Sequence, residues 1–95
     1  MDLNATSDTL SISGNIKSIN DFQDIKNKLD SMKTTKKNIV IIINDSISIT
    51  SSVIGYFNKL ILKDKITLRM KIGNAELIEL LDDLHLSKTF NVSKL

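Results

Sequence analysis

The chain is 95 residues long, with 41% hydrophobic residues, 25% charged residues and a formal net charge of +2. That is the size and balance of one globular domain with enough apolar mass for a single core. It contains no cysteine, which excludes a disulfide framework, a thiolate metal site and a cysteine nucleophile.

Met1 to Asp8 is polar and lacks a basic stretch followed by an apolar one, so no signal peptide is read there. Leu3 and Ala5 suit a short edge strand, Thr6-Ser7-Asp8 a turn, and Leu10 and Ile12 alternate with serines as in a half-buried strand that Gly14 stops. Together they predict an N-terminal hairpin. Ser18 followed by Asp21 resembles a capping box. After it Ile19, Phe22, Ile25, Leu29 and Met32 recur at spacings of three and four, one apolar face of a helix running to about Met32.

Ile39 to Ile43 is an unbroken β-branched run, the composition of a strand covered on both faces in the middle of a sheet. It is also the longest apolar run in the chain, far short of the ~20 residues that span a bilayer. The chain is therefore expected to be cytoplasmic, without membrane insertion. Asn44-Asp45 ends the strand, and Thr50, Ser51 or Ser52 can cap a second helix whose apolar face is Val53, Ile54, Phe57, Leu60 and Ile61. Ile66, Leu68, Met70 and Ile72 alternate with polar residues as a strand buried on one side. Asn74 caps a third helix with Leu77, Ile78, Leu80, Leu81 and Leu84, and Phe90 and Val92 suggest a last short strand. The order β-β-α-β-α-β-α-β predicts an α/β fold, with a mixed β-sheet of four to five strands and helices mainly on one face. Ile41 and Phe57 are expected in the core.

Candidates for chemistry are few. His85 is the only histidine, and although Asp82 and Asp83 are near it, the sequence sets no serine beside them, as a catalytic dyad would require. Glu76 and Glu79 share a side of an amphipathic helix, read as a solvated face and not as a metal site. Gly14, Gly55 and Gly73 stand alone and form no phosphate loop. Lysines are spread along the chain, with one cluster at Lys33, Lys36 and Lys37, read as a solvated connection, and no nucleic-acid partner is expected. The residues predict no enzyme, no cofactor and no metal. The unusual stretch is Asn44 to Gly55, where three consecutive hydroxyl residues, Thr50-Ser51-Ser52, open a helix. One hydroxyl suffices for a cap. The surplus admits a phosphorylated serine, stabilised by the free N–H groups and positive dipole end of a helix start.

This pattern resembles the STAS domain, the family named for sulfate transporters and anti-sigma-factor antagonists. The resemblance runs from about Thr9 to Val92. Leu10-Ser11-Ile12-Ser13-Gly14-Asn15-Ile16 is similar to the family's early strand, Ile39 to Asp45 to its central strand, and Ile49-Thr50-Ser51-Ser52-Val53-Ile54-Gly55 to its signature, an apolar residue followed by Asp-Ser-Ser-Gly-Leu-Gly. Glu76 to Leu81, with Leu84, Leu86, Phe90 and Val92, is similar to the closing segment. Thr50 stands where the signature has Asp, and Val53 and Ile54 where it has Gly and Leu.

The resemblance implies a protein-interaction domain that binds a serine-kinase-like regulator and is switched by phosphorylation of Ser51. The expected partner face is Asn44, Asp45, Thr50, Ser52, Tyr56 and Lys59. The alternative is a non-phosphorylated subunit of a transporter or sensory complex, docking through the same helix with Tyr56, Asn58 and Lys59 as contacts. The sequence leaves the oligomeric state open.

Overall fold

The computed structural model describes all 95 residues, Met1 to Leu95. Three caps set where its helices begin. Ser18 accepts a hydrogen bond from the Asp21 amide at 3.0 Å, and the Asp21 carboxylate accepts one from the Ser18 amide at 3.2 Å. This reciprocal pair starts α1 at Ile19–Met32. Thr50 accepts from the Val53 amide at 3.3 Å and starts α2, Ser51–Leu62. Asn74 accepts from the Leu77 amide at 3.0 Å and starts α3, Ala75–Asp83.

Between and before these helices lie β1 (Asp2–Ala5), β2 (Thr9–Ser13), β3 (Asn38–Ile43), β4 (Thr67–Ile72) and β5 (Val92–Lys94). They form one sheet in the order β1-β2-β3-β4-β5. β1 pairs antiparallel with β2 as the predicted hairpin, and every later pairing is parallel. The result is a small α/β domain with a five-stranded mixed sheet. Gly14 closes β2 at φ +87°, and a Cβ there would sit 3.1 Å from Met1 Cα, so the position calls for glycine on both counts.

The helices cover one face of the sheet. β4 buries Leu68, Met70 and Ile72 and exposes Thr67, Arg69 and Lys71. The core lies under the helices: Ile25 and Leu29 from α1, Val53, Phe57 and Leu60 from α2 and Leu77 and Leu81 from α3 meet Leu10, Ile12, Ile39, Ile41, Ile43 and the buried side of β4. Ile41 and Phe57 are fully buried. None of the helices is long and apolar enough to cross a membrane.

Four expectations change. β3 is central but covered on one face only: Ile39, Ile41 and Ile43 are buried, whereas Val40 and Ile42 are half-buried on the open face. Their register neighbours there, Thr9 and Arg69 for Val40 and Ser11 and Lys71 for Ile42, shade them without a second helical layer. Ile19 is 79% exposed, because at the first helical position it precedes the turns that reach the sheet. Leu80 and Leu84 are also exposed. Phe90 belongs to no strand. It is buried before β5, edge-on to Phe57 with ring centroids 5.8 Å apart.

Candidate functional site

In this topology the C-terminal ends of β2, β3 and β4 and the starts of α1, α2 and α3 fall at one edge of the sheet. Loops, not strands, shape this edge, and loops held by a rigid scaffold are where binding residues concentrate. Here the loop after β3 is held against the loop after β2. Asp45 Oδ1 accepts from the Gly14 amide at 2.7 Å, and Asn44 Nδ2 donates to Ser13 Oγ at 3.0 Å. The Ile47 amide donates to Asn15 Oδ1 at 3.1 Å. Ser46 is the one buried polar residue of the protein. Its hydroxyl accepts from the Ile16 amide at 3.0 Å and donates to the Ser48 carbonyl at 2.7 Å. Ser48 Oγ in turn donates to the Ile16 carbonyl at 2.8 Å. The loop is therefore a fixed base for the start of α2, because its buried polar groups are paired.

A close approach fixes the other side. A Cβ on Gly73 would fall 2.0 Å from the Asn44 carbonyl oxygen, so the start of the β4–α3 connection presses directly on the end of β3.

Above this base the three hydroxyl residues divide their tasks. Thr50, half-buried, is the cap. Ser51 and Ser52 are exposed, and neither hydroxyl is hydrogen-bonded within the protein. No acidic side chain occupies the first turn of α2, so the positive end of the helix is uncompensated. Ser52 and Thr50 border an open groove of about 330 Å³ with Lys17, Ser18, Ile19, Phe22 and Gln23 from the start of α1. Ile47, 56% exposed, protrudes from the loop that supports the site.

The structure thus brings Asn44, Asp45, Thr50, Ser51 and Ser52 to one edge. Lys59 is exposed but lies two helical turns further along α2, its Nζ 3.4 Å from Asp64 Oδ2. Tyr56 does not belong to the expected face. It is 5% exposed, because it stands three residues after Val53 and four before Leu60, on the stripe of α2 that faces the core. Its ring meets Phe22 edge-on with centroids 6.4 Å apart, and its hydroxyl donates to the Asp30 carboxylate. Asn58 is half-buried. Of the groove residues, Ile19 and Phe22 were singled out from the sequence only as part of the apolar face of α1, and Lys17 and Gln23 were not singled out. Their one signal was the Ser18 cap, which puts the start of α1 at the same edge.

A second polar cluster joins the C-terminal halves of α1 and α2. Lys26 Nζ is 2.7 Å from Asp30 Oδ2, and Lys33 Nζ is 3.5 Å from Asp30 Oδ1 and 3.0 Å from Asp64 Oδ2. Desolvation alone would raise the Asp30 pKa, but the hydrogen bonds from Lys26 and Tyr56 and the two lysine charges outweigh it and bring it to about 2. Burial and the hydrogen bond to Asp30 push the Tyr56 phenol well above the ordinary tyrosine range. The hydrogen bond to Asp64 raises Lys33, and the same bond lowers Asp64.

His85 is exposed at φ 60°, just past the end of α3. It borders a shallow depression of about 240 Å³ with Asp82, Ser87 and Lys88. A serine does come near it, but the His85, Asp82 and Ser87 side chains are not hydrogen-bonded to one another.

Comparisons with family models, with curated proteins and with solved structures found no match.

Proposed function

We propose that this chain is a protein-interaction domain that docks a regulatory partner through the edge at the start of α2, and that phosphorylation of Ser51 releases the partner. One observation carries the reading: Thr50 caps the helix, which leaves the Ser51 hydroxyl exposed and unused by the fold. A phosphate there adds a charge of about −1.5 to −2. The helix dipole tolerates that charge at an N-terminus, so α2 persists while the face before it, which carries one carboxylate at Asp45 and one cation at Lys17, becomes strongly anionic. The exposed Ile19 and Ile47 beside it supply apolar contact, and Asn44, Asp45, Thr50 and Ser52 supply a polar rim.

The kind of partner follows from the resemblance to anti-sigma-factor antagonists: a serine-kinase-like regulator that modifies the hydroxyl it binds. This reading implies a cytoplasmic chain. A second reading is a permanently unmodified subunit of a transporter or sensory complex. It is favoured by Thr50, which stands where the resembling signature carries an Asp beside the modified serine.

Affinity capture with the wild type, Ser51→Ala and Ser51→Asp tests both. A kinase-like ATPase held by wild type and Ser51→Ala but lost with Ser51→Asp supports the switch. Equal recovery of one partner set by all three excludes it and leaves the unswitched subunit.

A further inference from the structure

We propose that a second copy of this chain covers the exposed face of α3 with the C-terminal end of its own α2, reciprocally about a two-fold axis. Leu80 and Leu84 are 38% and 49% exposed and, four residues apart, share one side of α3 and its cap. The helix carries Glu76, Glu79, Asp82 and Asp83 and no lysine or arginine. Against the chain's net charge of +2, the remaining residues therefore hold a net +6. None of these four carboxylates is ion-paired, since all four ion pairs of the protein belong to the cluster between α1 and α2. Asp82 and Asp83 also stand in the last turn of α3, where the helix dipole favours a cation. Glu76, Glu79 and Asp83 stand on the side of α3 that carries this apolar pair, with no ion pair to compensate them, whereas Asp82 lies toward the opposite side, near Lys88.

The complement is on the same molecule. Leu62, the last residue of α2, is 67% exposed. Lys63 and Lys65 follow it on either side of Asp64, both exposed and neither ion-paired, while the Asp64 carboxylate is already engaged by Lys33 and Lys59. α2 and α3 both run against the parallel strands, so they end at the edge where β4 and β5 begin. A two-fold axis through this edge sets each acidic patch against a basic one twice over and closes the dimer. Pairing α3 with α3 would oppose carboxylates to carboxylates instead. This surface is separate from the start of α2, roughly 16 Å away along the helix axis.

Sedimentation velocity of the full chain from micromolar to millimolar concentration tests the proposal, with circular dichroism as a check on folding. The wild type should dimerise, at least about tenfold less tightly in high salt, which screens surface charge. Glu79→Lys/Asp83→Lys and Lys63→Glu/Lys65→Glu should each be monomeric where the wild type is dimeric, and an equimolar mixture of the two should dimerise again. Leu80→Ser, which leaves every charge in place, should also weaken the dimer. The proposal is overturned by a wild type that stays monomeric, by charge-reversed variants that dimerise as the wild type does, or by a mixture that fails to restore association.

Discussion

The Tyr56 hydroxyl donates a hydrogen bond to the Asp30 carboxylate, so one polar link at the rim of the core joins α1 to α2. Tyr56→Phe removes that link and keeps the edge-on contact with Phe22. A hydrogen bond to a charged group is worth about 1.5–3 kcal/mol. Asp30 is 34% exposed and keeps Lys26 and Lys33, so the expected loss is smaller, about 1 kcal/mol after solvent screening. Urea unfolding measures it, and an unchanged midpoint would show that water replaces the phenol at no cost.

The same carboxylate sets an acid limit. Asp30 ionises at about 2 in the fold against an ordinary 3.8, so its contribution is fully present above the ordinary value and is lost as pH falls from there toward 2. Melting temperature should therefore drop through that window. Asp30→Asn should melt lower than the wild type at neutral pH and show a smaller acid decline, the gap between them closing near pH 2.

Cap and candidate switch should separate cleanly. Thr50→Ala removes the acceptor for the Val53 amide and should cost about 1 kcal/mol. Ser51→Ala touches no internal hydrogen bond and should stay within about 0.5 kcal/mol of wild type. Thermal melts of the two variants decide it. A Ser51→Ala loss as large as that of Thr50→Ala would mean that both hydroxyls serve the helix.

Two glycines should respond with opposite signs. Nothing lies within 4 Å of a Cβ on Gly55, and alanine is the better helix former, so Gly55→Ala should stabilise by about 0.5–1 kcal/mol. At Gly73 the added carbon would collide with the Asn44 carbonyl oxygen. Backbone must then move on both sides, with a loss of about 1–3 kcal/mol or more. Chemical denaturation of both variants checks the contrast.

The helices were legible because their starts are written locally: Ser18 with Asp21, Thr50 and Asn74 are short-range devices, and each caps its helix. The alternation in β2 and β4 was legible for the same reason. What covers a strand is not local. Five consecutive β-branched residues fit a strand buried on both faces, yet Val40 and Ile42 are sheltered by neighbouring strands alone. Tyr56 was misassigned because a phenol reads as a surface group until Asp30, 26 residues away, is seen to receive it. Ser46 gave no signal at all, since its burial depends on the Ile16 amide, 30 residues distant. Ser51 and Ser52 were legible as surplus hydroxyls. The groove beside them was not, because the distant segment Lys17 to Gln23, which leads into α1, supplies most of its wall.

The strand order carries a consequence for biosynthesis. From β2 onward each strand pairs with the one made immediately before it, so each finds a partner already translated as it emerges from a ribosome. β1 and β2 can close first, and each later helix and strand docks on a sheet already ending in an open edge. Folding can then keep pace with synthesis, and the only unpaired backbone ladder facing the next strand at any moment is the one that strand is about to cover.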